Sequence, residues 1–251
     1  GDSQKLAAGL AAVKQFAVIS GGPGTGKTYT VARILALLQA LASGRLRIGL
    51  AAPTGRAAAR LQESIGRARQ EMDSDLAAPV PEQAGTLHRL LGLMPETGRF
   101  RHNRDNPLHL DLLIIDEASM VDVPLMAALV EALPVQARLI MLGDRDQLTS
   151  VEAGSLFGDI CGSGEPSWSD ALSSQVSRLT GITLPGGRAS ESMGDAIIML
   201  RTGYRFGEEG GIGALARVVN AGAQAGLAAF AQQNHGDLAV VRPDPELFRS
   251  W

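Results

Sequence analysis

The sequence is nearly without cysteine. Its 251 residues hold one, Cys161, which excludes a disulfide framework within the chain and a thiolate metal cluster. No apolar run reaches the roughly 20 residues that span a bilayer. The N-terminus lacks the charged, apolar and small succession of a secretory leader. A cytoplasmic protein is the simplest expectation. The first residue is Gly1 rather than methionine, so an excised piece of a longer protein is expected. There is no internal repeat. No acidic cluster beyond one Asp-Glu pair suggests a nuclease.

A strong basic balance is also missing, because the net charge is −3. Its distribution says more than its sum. Between Arg45 and Gln70 stand Arg45, Arg47, Arg56, Arg60, Arg67 and Arg69 against the single acid Glu63. A local basic surface can hold phosphates on a mildly acidic chain, and a solvated helix face would read the same way.

What is present is a hydrophobic content of 45%, enough for one sizeable core or one core plus part of a second. Short apolar runs read as buried parallel strands at Phe16–Ser20, Arg47–Ala52, Leu112–Ile115 and Arg138–Leu142. Between them the patterns predict helices over Gln4–Lys14, from Lys27 to about Ala42, from the end of a Pro53-Thr54-Gly55 turn to about Arg69, from Thr86 to Leu91 and over Val123–Leu133. Residues 72–83 read as a surface connection. The basic stretch 95–110 carries an Glu96-Thr97-Gly98 turn suited to a small hairpin. Residues 161–194 are rich in serine and glycine and are expected to form a mobile insertion or connection. Order resumes over Ile197–Phe206, followed by a helical region over Ile212–Phe230 and a strand over Leu238–Val241. Alternating strands and helices imply an α/β fold with a parallel sheet, whose strand ends gather ligands.

Gly21-Gly22-Pro23-Gly24-Thr25-Gly26-Lys27-Thr28 follows a strand and opens a helix, the setting of a phosphate-binding loop. Its glycines let backbone N–H groups converge on phosphate oxygens, and the helix N-terminus adds positive potential. In that setting Lys27 reaches the β- and γ-phosphates and Thr28 ligates magnesium. Asp116-Glu117 stands at the tip of the third apolar run, where Asp116 can hold the metal and Glu117 can polarise an attacking water. An acidic pair favoured by a helix dipole is the plainer alternative. Gln147, after the fourth run, has an amide able to bond both a γ-phosphate and the attacking water. An ordinary polar loop would have the same spacing. Tyr29, next to Thr28, is expected to fill the sheet–helix interface.

Six segments in order carry a family resemblance: Gly21–Thr28, Ala51–Ala58 (AAPTGRAA), Thr86–Leu91 (TLHRLL), Asp116–Met120 (DEASM), Gly143–Leu148 (GDRDQL) and Ser150–Gly154 (SVEAG). Together they resemble the ordered motifs of superfamily 1 DNA helicases. The Asp116–Met120 form and Gly203-Tyr204-Arg205-Phe206 look like the RecD branch. The resemblance covers Gln4 to about Asn220. It implies a P-loop NTPase fold of the RecA-like kind, a parallel sheet flanked by helices, with ATP and Mg2+ as cofactors. It implies that Gln4 reads the adenine edge, and that Gly22, Pro23, Gly24, Thr25, Gly26, Lys27 and Thr28 hold the phosphates. Pro53, Thr54 and Arg56, with Thr86 and His88, would contact the DNA backbone. Arg205 would reach the γ-phosphate from a second motor domain. The implied activity is ATP-driven movement along single-stranded DNA, 5′ to 3′, beside RecB and RecC subunits of an exonuclease V complex in double-strand break repair and recombination. The alternative is a nucleotide-gated switch that shares Lys27, Thr28 and Asp116 and moves no DNA. A small-molecule kinase would need an acceptor pocket that the sequence does not show.

On this reading residues 1–194 form the first motor domain, with a small insertion near 95–110 and the connection near 161–194. Residues 195–251 begin a second domain. Later helicase motifs are not found before Trp251, so the chain is expected to bind nucleotide and to translocate poorly alone.

Overall fold

The computed structural model describes residues 2–77, 80–147, 156–162, 167–184, 187, 192–200, 211–220 and 230. The chain divides into two compact units, Gly1–Arg201 and Thr202–Trp251.

The first unit opens with α1 (Asp2–Val13), β1 (Phe16–Gly21) and α2 (Lys27–Leu41), followed by β2 (Ile48–Ala52), α3 (Gly55–Gln70) and the short α4 (Ser74–Ala77). Next come β3 (Gly85–Thr86), α5 (Leu87–Leu91), β4 (Leu93–Met94), β5 (Arg99–Phe100), β6 (Leu112–Ile115), α6 (Val123–Ala132) and β7 (Arg138–Gly143). After α7 (Leu156–Cys161) and α8 (Asp170–Thr180), β8 (Ile197–Leu200) completes the described part of this unit. Of the second unit, the described residues are α9 (Gly211–Asn220) and the buried Phe230.

Six strands form one sheet in the order β3-β2-β6-β7-β1-β8, every neighbouring pair parallel. The α/β parallel sheet expected from the sequence is therefore observed. Strand residues alternate between two cores, as the two-residue period of a strand requires. Ile19, Leu112, Ile114, Ile140, Leu142 and Ile198 pack under α1, α2, α3 and α8. Val18, Leu113, Ile115, Leu139, Met141 and Ile197 pack against α5, α6 and α7. Burial on both faces explains why the strands read as continuous apolar runs.

β7 lies between β1 and β6, in register Phe16↔Leu139 on one side and Leu112↔Arg138 on the other. The loop after β7 thus stands between the phosphate loop and the Asp116-Glu117 turn. Arg138, at the start of β7, donates to the carbonyls of Ala11 at 3.0 Å and Lys14 at 2.8 Å. These are end-of-helix carbonyls left without intrahelical partners, so one guanidinium ties α1, and Gln4 with it, to the sheet.

Three expectations change. Thr86 does not simply begin a helix. Gly85–Thr86 first pairs with Ala51–Ala52 as an edge strand, and Thr86 then caps α5. The connection expected over 161–194 contains a packed helix. Ser169 caps α8, Gly181 closes it at φ 71°, and Trp168, Leu172 and Val176 enter the core beside α1. A Cβ on Gly9 of α1 would stand 2.8 Å from Thr180 and 3.1 Å from Val176, so the two helices meet at that glycine. Trp168 donates to the Ile197 carbonyl at 2.9 Å, and Asp195 accepts from the Ser169 amide and hydroxyl, both at 2.7 Å. The domain boundary also moves. β8 pairs with β1 from Val18↔Ile197 to Gly21↔Leu200, so residues 197–200 belong to the first sheet and the division falls after Arg201.

The basic insertion is an antiparallel hairpin, Leu93↔Phe100 and Met94↔Arg99, turning at Gly98 with φ 66°. It stays against α5 through Arg101 N–H to Gly92 O at 3.0 Å and His102 N–H to Leu91 O at 3.0 Å.

Candidate functional site

Every candidate residue in the described part of the first sheet, Gln4 apart, lies at or just beyond the carboxyl ends of its strands. Across the sheet the order is Thr86 ending β3, Pro53 and Thr54 after β2, Asp116 and Glu117 after β6, Gln147 after β7 and the phosphate loop after β1. That edge is where open α/β sheets bind ligands.

The loop from Gly21 to Gly26 holds its shape by short contacts. Thr25 donates its hydroxyl to Gly22 O at 2.8 Å. Gly24 and Gly26 have φ of 79° and 78°, a left-handed backbone that glycine adopts without a Cβ penalty. A Cβ on Gly21 would meet Thr25 Oγ1 at 2.7 Å and Leu200 O at 2.9 Å. Lys27 folds back so that Nζ donates to Gly21 O at 2.5 Å and Gly22 O at 3.2 Å. Its ammonium thus occupies the mouth of the loop, where an anion would compete for it. Thr28 follows in the first turn of α2, half-buried, and Pro23 is exposed.

Asp116 is 8% exposed. Burial pushes its carboxyl up to about 6, against the opposing pull of the Glu117 backbone N–H and of Lys27. The Glu117 amide donates to Asp116 Oδ1 at 2.9 Å. Glu117 itself has φ 55° and, with Ser43, is one of two non-glycine residues at positive φ among the described residues. Such backbone costs about 1–3 kcal/mol and concentrates at functional sites. Asp144, half-buried at the end of β7, also has its carboxyl pushed up by burial, while Asp146 N–H and Lys27 act the other way. The Gly143–Leu148 motif contains Asp144, and nothing in its spacing assigns that carboxylate a role. The signal available was its position directly after a buried strand.

A buried carboxylate that feels the Lys27 charge, on the strand edge where Thr28 opens α2, suits a hard divalent cation that takes its remaining oxygens from phosphate and water. No cluster of three or more His, Cys, Asp or Glu suited to a metal occurs among the described residues. A cation at this edge would thus share its ligands with a bound phosphate rather than sit in a closed protein cage.

Gln147 is exposed and its amide oxygen accepts from Ser119 Oγ at 3.0 Å. Gln4 is half-buried and lines a cavity of about 410 Å³ with Asp2, Lys5, Ala8, Thr30 and Arg33. Beside it Tyr29 lies on the face of α2 that carries Arg33, whose guanidinium stands 4.5 Å from the ring centroid and bonds the phenol oxygen. Tyr29 thus forms a side-chain pair with Arg33 rather than only filling the helix–sheet interface. It falls one position off the buried stripe of Thr30, Val31, Ile34 and Leu35.

Thr54 and Thr86 do the same local work. Each accepts at 3.2 Å from the amide three residues on, Ala57 and Arg89, and so caps α3 and α5. The register Ala52↔Thr86 sets the two helix starts side by side. Each hydroxyl keeps its hydrogen for donation, and Arg56 is exposed in the first turn of α3. His88 is exposed, with its ring 6.1 Å from that of Phe100 in the hairpin. Arg205, Leu148, the segment 150–154 and the strand expected over 238–241 lie outside the described residues.

A family model described as an AAA domain matches residues 4–153. A RecBCD enzyme subunit RecD from Haemophilus influenzae is 41% identical over 227 residues, 88% of this chain and 36% of that protein. The RecD subunit of Mycobacterium tuberculosis H37Rv is 44% identical over 88% of this chain and 34% of its own length. An ATP-dependent RecD2 DNA helicase from Deinococcus radiodurans is 44% identical over 56% of this chain and 17% of that protein. The chain spans about a third of the length of the RecD subunits it matches. More than half of its residues fit the AAA-domain model, so the chain belongs to the AAA-domain family.

Proposed function

We propose that this chain supplies the ATP-binding motor domain of a RecD-type, ATP-dependent DNA helicase subunit that moves along single-stranded DNA. The carrying observation is the shared strand edge. Lys27, Asp116, Glu117 and Gln147 stand after β1, β6 and β7, and the capped hydroxyls of Thr54 and Thr86 continue the same edge after β2 and β3. Similarity to RecD subunits over most of the chain supports it. On this reading the partners are RecB and RecC subunits in a cytoplasmic complex that processes DNA breaks, and residues 202–251 begin a second RecA-like domain.

Magnesium, when bound, neutralises charge on the β- and γ-phosphates, and Thr28 and Asp116 are the residues that would hold it. Glycine-loop amides from Gly22 to Gly26 bind phosphate oxygens. Lys27 leaves the carbonyls of Gly21 and Gly22 for the triphosphate. Glu117 orients a water and accepts its proton, and the Gln147 amide faces the γ-phosphate. Gln4 reads the base from the 410 Å³ cavity. Pro53, Thr54, Arg56, Thr86 and His88 bind the DNA backbone without reading bases, which a motor requires.

The test is ATP hydrolysis with and without single-stranded DNA, on the unaltered protein and on Lys27→Ala. Stimulation by DNA and a loss of about 100-fold or more in the variant are expected, the scale of removing one preorganised electrostatic partner. Hydrolysis indifferent to DNA would favour a nucleotide-gated switch instead.

A further inference from the structure

Resting on that reading, we propose that Ser119 is a positioning residue for Gln147. It turns the amide so that its NH2 group faces the triphosphate, and it links the water-orienting segment to the γ-phosphate sensor.

Ser119 is 7% exposed and belongs to the short 3-10 turn Ala118–Met120, whose preceding residue is Glu117 in its left-handed conformation. Its hydroxyl leaves that turn and reaches the loop after the neighbouring strand, donating to Gln147 Oε1 at 3.0 Å across 28 residues of sequence. The backbone of that loop is held separately. Gln147 N–H bonds Asp144 O at 3.3 Å, and Asp146 N–H bonds Asp144 Oδ1 at 3.1 Å. Asp144 therefore shapes the loop, and Ser119 orients the Gln147 side chain.

The chemistry favours this arrangement. A glutamine amide has one accepting and one donating end. Only the donating end suits phosphate oxygens, and an exposed glutamine would otherwise rotate freely. A serine hydroxyl that donates to Oε1 occupies the accepting end and leaves both N–H groups for the nucleotide. Because Ser119 rides on the turn that Glu117 starts, displacement of either loop is felt by the other. Alanine at 119 would keep the turn and the fold, and would release the amide.

Equilibrium binding of fluorescent MgADP and of a fluorescent non-hydrolysable Mg-triphosphate analogue separates this role from a structural one. Ser119→Ala should lose about fivefold in triphosphate affinity, the scale of one hydrogen bond of about 1 kcal/mol, with MgADP affinity and melting temperature unchanged. Ser119→Thr, which keeps the hydroxyl, should recover it. Gln147→Ala should show the same selective loss, and the double variant Ser119→Ala/Gln147→Ala should be no weaker than Gln147→Ala alone, because the two act through one contact. If Ser119→Ala binds the triphosphate normally, or the two losses add, the inference is overturned. If Gln147→Ala keeps its discrimination, there is no sensor to position and the inference also falls. Failure of the unaltered protein to bind MgADP would instead overturn the proposed nucleotide-binding function.

Discussion

Replacing Asp116 by asparagine should stabilise the protein in the absence of metal while abolishing its response to magnesium. The carboxyl is 8% exposed, and burial raises it from 3.8 to about 6. A displacement of about two pH units corresponds to about 3 kcal/mol of unfavourable charge burial at neutral pH. That is an upper bound. Asparagine keeps an oxygen for the Glu117 amide but adds an NH2 group whose unmet hydrogen bonds cost about 1–2 kcal/mol. The net gain is then about 1–2 kcal/mol, or roughly 3–6 °C in melting temperature for a domain of this size. The sign with pH follows from linkage. Because the folded state holds its proton more tightly than the unfolded state, stability is full below 3.8 and falls as pH rises towards about 6. The advantage of Asp116→Asn should therefore be present at pH 7.5 in EDTA and vanish near pH 4. Thermal denaturation across that range measures it, with a second series in Mg-nucleotide where only the unaltered protein should gain. A variant less stable than the parent at pH 7.5 in EDTA would refute the reasoning, because the carboxylate would then be compensated by the fold itself.

Three further outcomes are expected. Leu172→Ala, on α8, removes a side chain 2% exposed and should cost about 2–5 kcal/mol in denaturant unfolding. A change under 0.5 kcal/mol would mean that α8 does not pack on α1. Gly21→Ala drives a methyl to 2.9 Å from the Leu200 carbonyl and 2.7 Å from Thr25 Oγ1. It should cost about 1–3 kcal/mol of stability, and nucleotide titration should show weaker binding. Asp111→Asn loses a carboxylate that Arg47 grips through its backbone N–H at 2.8 Å and its guanidinium at 3.0 and 2.7 Å. The Arg47 guanidinium holds this carboxyl down at about 2. Its contribution, about 1 kcal/mol or less for so exposed a pair, is present above 3.8 and lost as pH falls towards 2, the opposite sense to Asp116. Urea midpoints of the two proteins should differ at pH 6 and converge near pH 2.

The correct and incorrect expectations have separable causes. The runs Phe16–Ser20, Leu112–Ile115 and Arg138–Leu142 are legible as strands because burial on both faces leaves polar residues only at their ends, Ser20 and Arg138. α8 was missed because serine dominated the composition of residues 161–194. Its boundary signals were nevertheless in place: Ser169 before it, Gly181 after it, and Trp168, Leu172 and Val176 at four-residue spacing. β3 was invisible because two residues carry no period, and only pairing with Ala51 and Ala52 makes Gly85–Thr86 a strand.

The phosphate loop, the acidic pair and the two threonine segments were set by sequence, since each is a local device. Glycine freedom, a helix N-terminus or a capping hydroxyl requires only the residues beside it. Tertiary structure decided their order along one edge, because strand order depends on which apolar faces stack and not on chain position. Placing β7 between β1 and β6 brought Ser119 to Gln147, and completing the cores beneath the helices buried Asp116. Neither relation can be found from spacing, since the partners are joined only by long-range packing.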